Sequence, residues 1–252
     1  MKCDFPTVPD TTQPLAPSRV EGRDRCRACG GIRRAPHERA LVGPSVLVVV
    51  AAAAVAGCFG NERTTFPPGL EPLEENTAPL PEALDGDPYP ETIVYAKGET
   101  DNYSWAHGRG YIHASIGRTW EAFRDIEVIV DDPSVDSWST TENVEEGYDF
   151  SYRIRNVVHD VITVEFDITW RQSAVGGTVQ DPDTVGIAYQ KTWGTEFIEM
   201  LRGSIVLRPV TDDVTEVDMV EHLDGYGRDA NTVVDYFDDV YGDAVAHVHA
   251  GE

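Results

Sequence analysis

The sequence predicts an α+β fold in which a curved antiparallel sheet wraps around one long C-terminal helix. Three observations lead there. Segments with apolar–polar alternation follow one another from about residue 148 to residue 226, separated by turn-forming stretches. The chain from Asp229 to Ala250 drops that period for apolar residues three and four apart. Two short helical stretches lie between a first strand-like run and the later strands. Strands in close succession pair as an antiparallel meander, and an amphipathic helix after them has only the sheet on which to bury its stripe.

Each element has its own warrant. The run from Thr92 to Glu99 reads as a first short strand. Gly108-Arg109-Gly110 punctuates the chain ahead of Tyr111–Ile116, a second alternating run. In Gly117–Asp125, Trp120 and Phe123 fall on one face at helical spacing, and Pro133–Trp138 reads as a second short helix after Asp131-Asp132. Tyr148–Val158 is the next strand. The clearest one follows, where Ile162, Val164, Phe166, Ile168 and Trp170 alternate with Thr163, Glu165, Asp167 and Thr169. Strict period two gives such a strand one dry face and one wet face. The turn-prone stretch Ser173–Asp183 precedes the strand Gly186–Trp193. Glu196–Val210 and Val214–Tyr226 complete the meander around the turn Thr211-Asp212-Asp213. In the closing helix Val233, Phe237, Val240, Ala244 and Val248 form the stripe, and Val234, Tyr241 and Val245 widen it. Asp229 or Asn231 can cap its start. Gly242 inside it costs about 1 kcal/mol relative to alanine.

Charge and cysteines exclude some functions. Residues 1–57 carry 8 Lys/Arg against 5 Asp/Glu, whereas residues 58–252 carry 12 against 39, for a formal net charge of −24 overall. A domain this acidic repels phosphate backbones, so nucleic acid is not expected as a partner. The four cysteines, Cys3, Cys26, Cys29 and Cys58, all precede the predicted domain, which must therefore stand without disulfides.

From Val46 to Cys58 thirteen residues carry no charge, and Arg33, Arg34 and Arg39 lie just ahead. A basic flank, a short apolar run and small residues before a cut site make a secretory signal. Val55-Ala56-Gly57-Cys58 resembles the bacterial lipobox. That resemblance implies cleavage before Cys58 and lipid on its thiol, where two acyl chains at about 0.8 kcal/mol per buried methylene hold the chain to a membrane. The alternative, a membrane span reaching back to Leu41, would have to include Gly43, Pro44 and Ser45 and falls short of the ~20 apolar residues a span needs. Phe59, where sorting rules of two-membrane bacteria would look for Asp, implies the outer membrane. Residues 1–40 exceed what such a signal needs and are read as an over-extended start or a long leader. Cys26-Arg27-Ala28-Cys29 is only half of a zinc site, and no metal is expected. Residues 58–90, rich in proline and acid, are expected to form an extended, unpaired tether, which places the folded domain at 91–252.

Strand, two short helices, antiparallel strands and a long closing helix is the element order of the helix-grip fold. With Tyr111–Asp125, similar to the opening strand and Trp-containing helix of that group, the chain resembles the START-like (SRPBCC) superfamily over residues 91–252. The resemblance implies a mostly apolar cavity under the C-terminal helix, of about 300–1,000 Å³. It also implies a small apolar ligand, lipid-like or aromatic; no cofactor is expected. A polyketide cyclase- or aromatase-like enzyme and a surface interaction module with a filled core are the alternatives.

Candidate lining residues are Phe166, Trp170, Tyr189, Trp193, Met200 and Met219 from the strands, and Phe237 and Tyr241 from the helix. No catalytic residue is assigned. His113, His159 and His222 are the groups that titrate near neutrality, and strand histidines are usually surface or satisfied residues. Lys191 and Glu199 are read as an ion pair. His247 and His249, two apart on a helix, point about 200° apart and cannot share a metal.

Overall fold

The computed structural model describes residues 63–130, 135–159, 163–227 and 229–250, all within the unit Gly57–Glu252. Alternation yields eight strands: β1 (Ile93–Glu99), β2 (Ser104–Ile112), β3 (Ser137–Glu142), β4 (Phe150–His159), β5 (Thr163–Gly177), β6 (Pro182–Gly194), β7 (Ile198–Thr211) and β8 (Val214–Gly225). They form one sheet in the order β1-β2-β8-β7-β6-β5-β4-β3, and every pairing is antiparallel. The meander β3–β8 is thus closed by the opening hairpin β1–β2 on the far side of β8. Register shifts at Asp167/Ile168 and near Ala174 break the ladder between β5 and β6, and such bulges bend a strand and raise its twist. The helices are α1 (Ile116–Ala122), α2 (Ile126–Val130) and α3 (Ala230–His249).

The concave face holds the core. Helix α3 buries Val233, Phe237, Val240, Tyr241, Ala244 and Val248 against it. Burial stabilises by roughly 1.5–3 kcal/mol for each large apolar side chain, so the stripe read from the sequence is what docks the helix. Asp229 caps α3 by accepting from the Asn231 amide at 2.8 Å. The expected fold class, a curved antiparallel sheet around a C-terminal helix, is the one observed.

Several boundaries differ. Strand β2 starts at Ser104 and runs through Gly108 and Gly110, which the sequence presents as punctuation. A Cβ at Gly108 would lie 3.1 Å from the Phe237 ring, and one at Gly110 would lie 3.0 Å from Tyr241 and 2.7 Å from the Thr92 carbonyl. Glycine here lets α3 approach the strand backbone, which is a packing need and not a turn signal. The second helix is Ile126–Val130, earlier than expected, because Val128, Ile129 and Val130 are apolar enough to bury. Ser137 and Trp138 instead open β3, a wholly exposed edge strand. Residues 131–134, with Pro133, and residues 160–162, with Ile162, lie outside the described residues. Strands β5 and β6 extend into the turn-prone stretch, leaving a turn closed by Thr178 and Asp181 (3.0 Å).

Residues 63–90 correct the expectation of an unpaired tether. They are extended, with one isolated bridge between Leu84 and Asp87, but they run as a strap along the convex face of the sheet. The Thr64 amide donates to the Thr192 carbonyl (2.8 Å), the Leu73 amide to Ser204 Oγ (2.8 Å), and the Asn76 amide group to Asp218 (2.6 Å) and the Gly108 carbonyl (3.0 Å). Arg63 pairs with Asp167 (2.6 Å), and the Phe66 and Pro67 carbonyls accept from Arg171. The physical reason lies in the sheet, whose convex face buries Asp167, Arg171, His107 and His222. Buried polar groups need partners, and the strap supplies them.

A cavity under the C-terminal helix

Helix α3 packs on β1, β2 and part of β8, and a cavity of about 550 Å³ lies beside it, over β4, β5, β7 and the end of β8. Apolar side chains dominate its wall, with Ile154, Phe166, Ile168, Trp170, Leu201 and Leu223 on the strands, while Ile129 and Val130 come from α2. Phe197 and Tyr226 line one end and are 42% and 89% exposed. Their rings meet edge-on at 6.2 Å, so this end is the mouth, between the β6–β7 and β8–α3 connections. Asp235 and Asp239 of α3 stand beside it. A separate hollow of about 660 Å³ beside Trp138 and His247 is shallower and more polar.

Register explains which residues reach the cavity. Trp170 lies opposite Tyr189, Tyr189 opposite Gly203, and Gly203 opposite Glu221. Cross-strand partners share a face, so these four form one concave row. Trp170 and Tyr189 stack at 4.3 Å. A Cβ at position 203 would lie 2.2 Å from the Tyr189 ring, so glycine there makes room for the tyrosine. The Tyr189 hydroxyl then donates to Glu221 Oε2 at 2.6 Å.

Glu221 is 2% exposed and lines the cavity. Burial raises its carboxyl to about 8, and the hydrogen bond from Tyr189 pulls it back only in part. At neutral pH it is therefore a neutral acid. Tyr189 is pushed well above the usual phenol range, by burial first and then by Glu221. Asn156, 3% exposed, is the second buried polar side chain in the wall.

The sequence-predicted lining residues divide. Phe166 and Trp170 line the cavity. Tyr189 lies behind the wall and holds Glu221. Met219, Phe237 and Tyr241 are buried in the core beside it, with the Tyr241 hydroxyl donating to the Tyr111 carbonyl. Trp193 points to the convex face, where Arg155 stacks on it at 4.3 Å. The register shift at Asp167/Ile168 is the cause, because it moves Trp193 opposite the outward Asp167. Met200 is one residue out of phase with Leu201, which does face the cavity. Glu221 is not among the sequence-predicted lining residues, yet it shares parity with Val217 and Met219, and a carboxylate on the dry face of β8 is a readable signal.

None of the candidate histidines lines the cavity. His222 stacks on Tyr103 (4.4 Å) on the convex face, 3.1 Å from Glu74, which also reaches His107 at 2.7 Å. Burial works to raise the Glu74 carboxyl, but hydrogen bonds from both histidines outweigh it and lower the pKa. His113 donates to the Tyr89 carbonyl, and exposed His159 pairs with Thr163 (3.1 Å). His247 and His249 diverge, to Asp125 (3.3 Å) and Glu91 (3.1 Å). Lys191 gives its ammonium to the carbonyls of Thr195 (2.9 Å) and Ile198 in place of an ion pair with Glu199, because the turn that carries those carbonyls folds over it. Among the described residues no group of three or more His, Cys, Asp or Glu could hold a metal ion, and no helix is long and apolar enough to cross a membrane. Cys58 lies outside the described residues.

No protein-family model matches the chain, and no curated protein matches it. Among solved structures the chain is similar to the human StarD13 (DLC2) lipid transfer and protein localization domain, at 8% identity and a TM-score of 0.45, over 70% of this chain and 89% of that one. It is similar to a STAR-related lipid transfer protein from Xanthomonas axonopodis, at 12% identity and 0.44, over 69% and 99%. It is also similar to the Zhui aromatase/cyclase from Streptomyces sp. R1128, at 11% identity and 0.36, over 62% and 92%. The strand order and the gripped helix, and not these values, make the chain an α+β helix-grip domain.

Proposed function

We propose that the chain is an exported, lipid-anchored protein whose helix-grip domain takes up a small apolar molecule in the cavity under α3. The observation that carries the binding half is the apolar volume of about 550 Å³ with an aromatic mouth. A packed core has few voids larger than a water molecule, and a volume of this size matches small-molecule sites. It also removes the premise of an interaction module with a solid interior. The cyclase-type reading draws on the Tyr189–Glu221 pair, but Glu221 alone of that pair reaches the lining, so carriage is the better supported reading.

The anchor half rests on the sequence around Cys58. Since the strap is held to the sheet from Arg63 onward, only four residues, or five Cα–Cα steps, separate it from the acylated cysteine. At about 3.5 Å a step they reach about 17 Å, which keeps the domain close to the bilayer. Cys58→Ala is expected to abolish incorporation of labelled palmitate and to leave the precursor uncut; unchanged labelling would refute the anchor. For the binding half, native mass spectrometry of the full chain from its own host is expected to show added mass that organic extraction removes. A single ligand-free mass before extraction would count against it.

A further inference from the structure

We propose that Glu221, held by Tyr189, and Asn156 form a polar subsite for an uncharged, largely apolar ligand whose buried end carries an accepting oxygen, a ketone or ester carbonyl. The inference rests on the reading of the cavity as a small-molecule site and adds the ligand's chemical class.

The geometry is set by the sheet. Glu221 lies in the row of Trp170, Tyr189 and Gly203, the deep end of the cavity. Asn156 lies opposite Phe166, four residues along β5 from Trp170 and about 13 Å nearer the mouth. Among the described residues the Glu221 carboxyl has one hydrogen bond, from Tyr189 to Oε2, and the Asn156 amide has none. Both side chains are more than nine-tenths buried and both line the cavity. A buried polar group without a partner costs about 1–3 kcal/mol, so the Asn156 amide and the second oxygen of Glu221, facing one apolar space, mark what its occupant brings.

The sign of the match follows from the acid. With Oε2 accepting from Tyr189, the proton of the neutral carboxyl sits on Oε1 and is offered to the cavity. A carbonyl oxygen accepts it. A carboxylate or phosphate ligand would be buried without a cation, since the described lining residues include no Lys, Arg or His and the rim carries Asp235 and Asp239. An ammonium ligand would require Glu221 to ionise against the burial that keeps it neutral. Asn156, able to donate and accept, serves a second oxygen nearer the mouth.

Displacement of the neutral fluorophore N-phenyl-1-naphthylamine from the full chain tests this, with 2-dodecanone, dodecane, dodecanoate and dodecylammonium as competitors. The ketone is expected to compete roughly tenfold better than the alkane, one hydrogen bond's worth, and better than either ion. Glu221→Leu should erase the ketone's advantage while dodecane competes as before, and Glu221→Gln, which still donates, should keep most of it. Tyr189→Phe, which leaves the carboxyl in place, should retain at least part of it. Equal competition by ketone and alkane, or a best competitor that is charged, would overturn the subsite and leave the cavity reading standing. Failure of the fluorophore and every competitor to bind would overturn both.

Discussion

Gln172 and Asn156 are two buried amides on one face of one sheet, and they are treated in opposite ways. Gln172, fully buried at the end covered by α1, accepts from the Trp120 indole (2.7 Å) and donates to the Phe123 carbonyl (2.9 Å) and the Tyr152 hydroxyl (2.7 Å). Asn156, under the first half of α3, has no hydrogen bond among the described residues and faces the cavity. At the closed end Gln172 and the groups around it satisfy one another internally, as folding favours. The open end leaves Asn156 and half of Glu221 for something from outside. On the convex face buried Asp167 and Arg171 are likewise paired, by Arg155 of β4, by Glu145 of the β3–β4 connection and by the strap. The Gln172 cluster is structure, and the unmet polar groups that line the cavity are where function is sought.

Substitutions can break that contrast, beginning with the largest expected effect. Gln172→Leu removes one partner from each of three buried groups and should cost about 3 kcal/mol in urea unfolding; a loss under about 1 kcal/mol would dissolve the comparison. Gly203→Ala places a Cβ against the Tyr189 ring and should cost about 2 kcal/mol through overpacking. It should also displace the hydroxyl from Glu221, visible as a change in the near-ultraviolet tyrosine signal.

The third prediction concerns pH. Glu221 titrates at about 8 in the fold, against an ordinary value of 4.5. Between these values the unfolded chain gives up a proton that the folded chain keeps. Its stabilising contribution is therefore whole below about 4.5, falls by up to about 1.4 kcal/mol per pH unit as pH rises, and levels off above about 8. Denaturation across that window should show this component in the wild type and lose it in Glu221→Gln. The smallest effect belongs to Asn156→Leu, which should change stability by no more than about 1 kcal/mol because no partner is stranded. A loss as large as that of Gln172→Leu would give Asn156 a structural role.

Much of this fold was legible because two periods govern it. The three-and-four spacing from Val233 to Val248 located α3, and strict alternation around Phe166 and Trp170 located β5 and its dry face. Legibility ended where tertiary contact overrode local pattern. Gly108 and Gly110 resemble turn residues until Phe237 and Tyr241 are seen to need the space. Trp193 keeps the alternation of its own strand, but the shift at Asp167 turns it outward. The strap has the composition of a linker, and only the buried polar residues of the convex face give it something to hold. Parity alone put Glu221 on the dry face, but reading it as a site required the cavity.

Titration of the full chain with N-phenyl-1-naphthylamine, beside a Leu201→Trp variant that fills the space under α3, tests the central claim most directly. Saturable one-to-one fluorescence enhancement in the wild type, lost in a variant that still folds, is the predicted result. No enhancement, or enhancement that survives the filling of the cavity, would contradict it.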